Sequence, residues 1–291
     1  MKVIEYHSVV NSRSDVITLV PLGDIHLGTR NCDEELLQQE VDFIRATDNC
    51  YWIGMGDYIE AIKARVDKRM DFRTLAEWIT TKDLADLVRV QADKFLEYVY
   101  PIRHKCMGLI VGNHEKKVEM RDDQGIVDYL AVSLGTKNLG DCAIVRWSIT
   151  RKVNTKSKSP SIAIDVYTNH GIGGGRYVGS KINKIISMCI GFDADLFLMG
   201  HVHEKLVHEI PRLQINGHGD NVRLIDNNRY FILTGAFLRA YQQDSHSYAE
   251  SKMYNPTALG TIHIMIKPFP QKKLGHDESP EHRPPKIWVN Q

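Results

Sequence analysis

Val16–Gly28 reads VITLVPLGDIHLG. The apolar run Val16–Leu22 stops at Gly23, which predicts a buried strand feeding a loop, and Asp24 and His26 stand just past its end. Asn31 or Asp33 can cap a following helix whose Leu37, Val41 and Ile44 fall at helical spacing. The order strand, loop, helix then recurs. Tyr51–Met55 (YWIGM) is a second strand that ends at Gly56-Asp57. A helical stretch with Leu84, Leu87, Val88, Phe95 and Val99 on one face runs to Pro101, which stops it. Lys105–Val111 (KCMGLIV) is a third strand, ending at Gly112-Asn113-His114. From Cys142 onward strands follow in closer succession: Cys142–Ile149, Ser161–Thr168, Leu196–Met199, Lys205–Ile210, Tyr230–Thr234 and Thr261–Ile266, with a helix over Val178–Cys189. Such a mixture predicts α/β architecture with two packed sheets flanked by helices.

The bulk properties narrow the class. A chain of 291 residues, 43% apolar and 25% charged, can bury a core and is not disordered by composition. Signals that interlock from residue 23 to residue 203 favour one continuous domain, set at 1–266, followed by an extended tail at 267–291 rich in Pro, Lys and His. A formal net charge of +1 provides no global attraction to nucleic acid or anionic lipid. Five cysteines without a CxxC spacing fit reduced thiols, hence a cytoplasmic setting. No stretch has the length of a signal core or a membrane span. The basic stretch Arg151–Pro160 (RKVNTKSKSP) is read as a solvated hairpin tip.

Five segments share one layout, in which a strand ends and a metal-capable side chain appears within three residues: Gly23-Asp24-Ile25-His26, Gly56-Asp57, Gly112-Asn113-His114, Asn169-His170-Gly171 and Gly200-His201-Val202-His203. Loops at the carboxyl ends of strands converge on one crevice, so residues far apart in sequence can meet there. The set combines imidazole, carboxylate and one amide oxygen, which suits Mn²⁺, Fe or Zn²⁺, with Ni²⁺ also compatible, better than Ca²⁺ or Mg²⁺. No thiolate joins it, which argues against a structural zinc or an iron–sulfur cluster.

In this order GDIHLG, GDYIEA, GNHE, NHG and GHVHE resemble the motifs of the calcineurin-like metallophosphoesterase family, and DADLFLMGHVHE at Asp193–Glu204 is similar to the context of the family's final motif. The resemblance implies a four-layer αββα sandwich and two divalent cations per chain, and the mixed, mostly imidazole ligand set puts Mn²⁺ foremost. The resemblance places Asp24, His26 and His203 on one metal, Asn113, His170 and His201 on the other, and Asp57 as the bridge, with a metal-bridged hydroxide attacking phosphorus. His114 matches the histidine set near the leaving-group oxygen, a position from which an imidazole can donate a proton. Glu115 is read as orienting a neighbour through hydrogen bonds or, equally, as a solvated turn residue. The chain lacks the arginine-bearing extension GDxVDRG of the family's Ser/Thr protein phosphatases. It is more similar to double-strand-break repair nucleases and phage-type phosphodiesterases.

Two further segments are candidate substrate contacts. Gly173–Tyr177 follows His170 and opens a helix, so its amides and Arg176 can bind a non-bridging phosphate oxygen, beside Asn113. Ala236–Tyr241 carries Arg239 and aromatics that can frame a leaving group or a base. The sequence therefore predicts a phosphodiesterase or nuclease acting on a phosphate ester, with nucleic acid or a nucleotide among the candidates. The alternatives are a phosphomonoesterase for a small molecule or phosphoprotein and a non-catalytic scaffold. No membrane partner is expected, and the oligomeric state is left open.

Overall fold

The computed structural model describes residues 1–61, 72–122, 125–153, 159–175, 177–188, 190–219, 222–243, 248–251, 253–270 and 285–290. Among these residues fourteen strands run in chain order: β1 Lys2–Val10, β2 Ile17–Leu22, β3 Cys50–Gly54, β4 Cys106–Ile110, β5 Asn138–Gly140, β6 Cys142–Arg151, β7 Ser161–Asn169, β8 Leu196–Met199, β9 Lys205–Ile210, β10 Leu213–Asn216, β11 Arg223–Asp226, β12 Arg229–Thr234, β13 His263–Lys267 and β14 Lys286–Asn290. The helices are α1 Glu34–Ala46, α2 Leu87–Val99, α3 Asn113–Asp122, α4 Ile126–Leu134, α5 Val178–Met188 and the short α6 Tyr248–Ser251. One six-stranded sheet has the order β1-β6-β7-β8-β12-β9 and the other β14-β13-β2-β3-β4-β5, while β10 and β11 form a separate hairpin. Both large sheets mix parallel and antiparallel pairs.

The four expected layers follow from which face each side chain takes. Every residue of β2 is buried, because a central strand of a covered sheet has no solvent face. Ile17 and Leu19 join Ile53, Met55 and Ile110 against Val145, Trp147, Ile164, Val166, Leu196, Leu198 and Ile232 of the other sheet. Val20 and Leu22 point the other way, into a core with Leu37, Val41 and Ile44 of α1, Val88, Phe95 and Val99 of α2, and Ile126 and Leu130 of α4. On the outer side of the second sheet, Tyr167, Phe197, Phe231 and Leu233 pack with Ile185 of α5. Fully burying a side chain of this kind contributes about 1.5–3 kcal/mol, so the alternation along each strand holds the register.

Local signals explain the first helix. Asp33 is its N-cap and accepts from Leu36 N at 3.1 Å, while Glu34 and Glu35 lie in the first turn where the helix dipole favours negative charge. The alternative cap, Asn31, sits earlier in the loop and its carbonyl accepts from Arg239 N at 2.8 Å. Pro101 falls in a 3-10 segment, Tyr100–Lys105, that follows α2 directly.

Several elements differ from the sequence expectation. β1 pairs in parallel with β6 along its whole length. Its alternation of exposed and covered residues is that of an edge strand, and KVIEYHSVV has no continuous apolar run to announce it. The boundary at 266 does not separate a tail from the domain. Phe269 is buried in the inter-sheet core, and β14 pairs antiparallel with β13 so that Ile287 and Val289 pack on the same core. β6 and β7 form the expected hairpin, and Arg151 N donates to Pro160 O at 2.9 Å at its end. Residues 154–158 of the basic tip lie outside the described residues. No helix among the described residues is long and apolar enough to cross a membrane.

Candidate metal centre

Three strands of each sheet, β2, β3 and β4 in one and β7, β8 and β12 in the other, run parallel to their neighbours within that trio. The loops after five of them carry the chemistry. The loop after β2 is zipped onto the loop after β3: Asp24 N donates to Gly56 O at 2.9 Å, His26 N to Asp57 O at 3.0 Å and Glu60 N to Leu27 O at 3.0 Å. From the other sheet, His201 N donates to Asp24 Oδ2 at 2.8 Å, which draws the β8 loop onto the β2 loop.

Asp24, His26, Asp57, His201 and His203 all have φ between 49° and 67°. Left-handed backbone costs a non-glycine residue roughly 1 kcal/mol or more and persists only where surrounding contacts impose it. Among the described residues only Asn49, Ala61 and Met253 otherwise share it without being glycine, so this strain concentrates at the site. Glycine permits the approach: a Cβ on Gly112 would overlap Asp57 N and Oδ1, and one on Gly200 would lie 2.6 Å from Asp24 Oδ2.

The side chains form three overlapping groups whose ligand atoms lie within 4.8 Å of one another: Asp24, His26 and His203; His26, Asp57 and His114; and Asp57, His170 and His201. His26 Nε2 lies 3.2 Å from His203 Nε2 and 3.9 Å from Asp57 Oδ2. His170 Nε2 lies 3.2 Å from Asp57 Oδ2 and 3.0 Å from Asn113 Oδ1, and its Nδ1 is held on Met55 O at 2.7 Å. Asp57 thus stands between both histidine groups. Its second oxygen, Oδ1, accepts from His114 N at 2.8 Å.

The electrostatics are those of a site shaped for cations. Asp24 and Asp57 are 0% and 1% exposed, and the described residues pair neither with a lysine or an arginine. Asp24 Oδ1 is buried, lies 3.3 Å from His203 Nε2 and accepts no hydrogen bond. Such an orphaned carboxylate oxygen facing imidazole nitrogens is satisfied by a divalent cation. Without a metal, protons take that role. Burial pulls the His170 pKa down, but the Asp57 carboxylate outweighs it and raises the value to about 10. Burial and the neighbouring His170 together lower His201 to about 4. Burial raises Asp57, yet the charge of His170 holds its carboxyl well below the usual range. The residues therefore fit divalent metal ions: hard carboxylate oxygens, borderline imidazoles and one amide oxygen in a buried pocket.

His114 is brought into the same group by its helix start. Its Nδ1 lies 2.6 Å from Glu60 O, and since a carbonyl can only accept, Nδ1 carries a proton. Burial lowers its pKa, and the carboxylates of Asp57 and Glu60 outweigh that, so it lies above the ordinary histidine value.

Glu60 is absent from the sequence-based site. Its Oε2 holds His26 Nδ1 at 2.9 Å, the carboxylate–histidine arrangement that fixes a ligand's tautomer, while its carbonyl holds His114. The available signal was a carboxylate three positions after Asp57 in the otherwise apolar YIEA. Glu115 is fully buried and bonds three backbone amides; burial and then Asp57 raise its pKa to about 7. The reading of Glu115 as a solvated turn residue is thereby replaced.

The proposed substrate contacts fare differently. Arg176 lies outside the described residues. In the glycine-rich loop beside it, the carbonyls of Ile172 and Gly174 accept from Lys184 Nζ at 3.1 and 3.3 Å. In Ala236–Tyr241, Phe237 is fully buried with its N–H on Asp24 O at 2.9 Å, and Arg239 pairs with Asp33 at 2.5 Å. These two residues fasten the β12 loop to the loop and helix after β2.

No family model matches the chain, and no curated protein matches it. Among solved structures it is similar to a conserved uncharacterised protein and predicted phosphoesterase of Streptococcus pneumoniae TIGR4, at 10% identity over 95% of this chain and 99% of that chain, with a TM-score of 0.32. It is similar to Chaetomium thermophilum Vps29 at 9% identity over 86% of this chain and 84% of that chain, with a TM-score of 0.35. It is also similar to the calcineurin-like phosphoesterase YfkN of Bacillus subtilis at 12% identity over 86% of this chain and 84% of that chain, with a TM-score of 0.32. With each of these TM-scores below 0.5, the reading of the site rests on its own geometry.

Proposed function

We propose that the chain is a dinuclear metal-dependent phosphoesterase of the calcineurin-like family that acts as a phosphodiesterase. The observation that carries this reading is the place of Asp57, whose carboxylate faces His26 and His170 from two separate histidine groups at 3.9 and 3.2 Å. Asp24, His26 and His203 would hold one cation, Asn113, His170 and His201 the other, with Asp57 shared. When bound, two such ions supply Lewis acidity to the phosphoryl oxygens and lower the pKa of water.

The chain's own residues supply the rest. In hydrolysis a bond forms from water oxygen to phosphorus while the ester P–O bond breaks, and the departing oxygen takes a proton. His114 would give it: with Nδ1–H held on Glu60 O and the pKa raised above the ordinary histidine value, the ring carries a second proton on Nε2, and that proton goes to the departing oxygen. Asn113, one position earlier at the start of α3, can also donate to a phosphoryl oxygen through its side-chain amide nitrogen, since its oxygen is the atom facing His170. A phosphate diester, with nucleic acid or a nucleotide as candidate, is the proposed substrate class, and Mn²⁺ the proposed activator.

The test is hydrolysis of bis-nitrophenyl phosphate and nitrophenyl phosphate by chain stripped of metal and then supplied with Mn²⁺, Zn²⁺ or Ni²⁺, followed by single- and double-stranded DNA and RNA. Mn²⁺-dependent turnover that favours the diester is the expected result. Preference for the monoester would make the chain a phosphomonoesterase, and absence of turnover with every metal and ester would favour a binding role.

A further inference from the structure

Glu115 lies in the first turn of α3, where a glutamate commonly reaches back to the start of its own helix. Here it does something else. Its carboxylate accepts three consecutive backbone N–H groups from the loop after β3: Asp57 N at 3.0 Å, Tyr58 N at 2.7 Å and Ile59 N at 3.3 Å. The contact is reciprocal, because the Asp57 carboxylate accepts the His114 N–H of that same first turn at 2.8 Å. Each segment therefore receives its neighbour's carboxylate on its own free amides. Successive N–H groups that turn to one side make an anion-binding concavity, and in this protein a side chain of the chain itself fills it.

We infer that Glu115 is a positioning residue: it holds Asp57 in the left-handed backbone from which its carboxylate faces both histidine groups, and so sets metal affinity without touching an ion. Asp57 has φ 51°, a backbone conformation rare outside glycine, and among the described residues its N–H has Glu115 as its side-chain acceptor. Gly112 brings the two segments together, since a Cβ there would overlap Asp57 N, Asp57 Oδ1 and Glu115 Oε2. Glutamine in place of Glu115 would keep the shape but turn an NH₂ toward at least one of the three donors. Aspartate would keep the charge and lose the reach.

The inference rests on the metal-centre reading, and the experiment separates the two. Mn²⁺ affinity is measured by calorimetry, and amide hydrogen exchange is followed for residues 57–59, in the unaltered chain, Glu115→Gln, Glu115→Asp and Tyr58→Phe. The last is the control: it deletes the buried Tyr58 hydroxyl bond to Ile110 O, 2.8 Å, beside the same loop while leaving the three amides on Glu115. Both Glu115 variants are expected to weaken Mn²⁺ binding by about 10–100-fold and to lose protection at residues 57–59 while β2 and β3 stay protected. Tyr58→Phe should lose thermal stability and keep Mn²⁺ affinity. Wild-type affinity in Glu115→Gln overturns the inference, as does an equal loss of affinity in Tyr58→Phe. Rapid exchange of the three amides in the unaltered chain also overturns it, a result available even if neither Glu115 variant folds. Failure of the unaltered chain to take up Mn²⁺ overturns the metal reading itself. The exchange data then still decide whether Glu115 holds the loop.

Discussion

His26 Nε2 and His203 Nε2 face each other at 3.2 Å, from loops at the ends of strands in different sheets. His26 has its other nitrogen on Glu60, so the atom it presents to His203 is a lone pair. A shared cation would take that lone pair together with one from His203 Nε2. The chain should therefore take up two ions, and Mn²⁺ at about 100 times its dissociation constant should stabilise the fold by roughly 2.7 kcal/mol for each ion bound. Elemental analysis and a thermal melt with and without chelator check this. One ion or fewer per chain at saturating Mn²⁺, with full activity, contradicts a dinuclear centre.

Asp57→Asn removes the one charge that faces both histidine groups, so two cations at close range would lose the anion between them. It should abolish more activity than the corresponding change at Asp24 and retain at most one ion tightly. Retention of both ions with near-normal turnover would show that Asp57 is not shared.

His114→Ala should keep both ions and lose about 10²–10⁴-fold in turnover on a nucleotide diester, the usual contribution of general acid catalysis. A nitrophenolate leaves without a proton, so the defect on a nitrophenyl ester should be small. Lost metal would recast His114 as a ligand, a live alternative because its ring lies in one group with His26 and Asp57. An equal defect on both esters would point to phosphate positioning.

Metal uptake should expel about one proton at neutral pH from the group around Asp57. His170, raised to about 10, carries a proton in the metal-free chain at pH 7, whereas His201, lowered to about 4, does not. Apparent affinity should thus rise with pH until His170 is deprotonated, near 10. The metal-free fold responds with the opposite sign. The stability contributed by protonated His170 is complete below its unfolded value, about 6.5, and is lost as pH rises through 10. Calorimetry in buffers of different ionisation enthalpy counts the protons, and a count of zero would place the His170 proton elsewhere.

The segments that carry the candidate ligands from Asp24 to His203 could be picked out in the sequence because each follows an apolar run that halts at or beside a glycine or asparagine, whereas the assignment of the seven to two metals came from the order of motifs that resembles the family's. The layers could be named from the apolar runs too: VITLVPL and LFLM are apolar at every position but one or none, and only a strand covered on both faces buries such a run. What the sequence did not decide are the contacts that exist only after distant segments meet. Glu60 is an ordinary carboxylate until His26 arrives, Glu115 an ordinary first-turn glutamate until the amides of residues 57–59 turn toward it, and Arg239 an arginine of no evident partner until Asp33 meets it. The same holds at the edges, where half-exposed strands such as β1 and β14 are held by partners far along the chain. Burial and backbone hydrogen bonding are properties of the packed chain, and local composition carries little trace of which donor will need which acceptor.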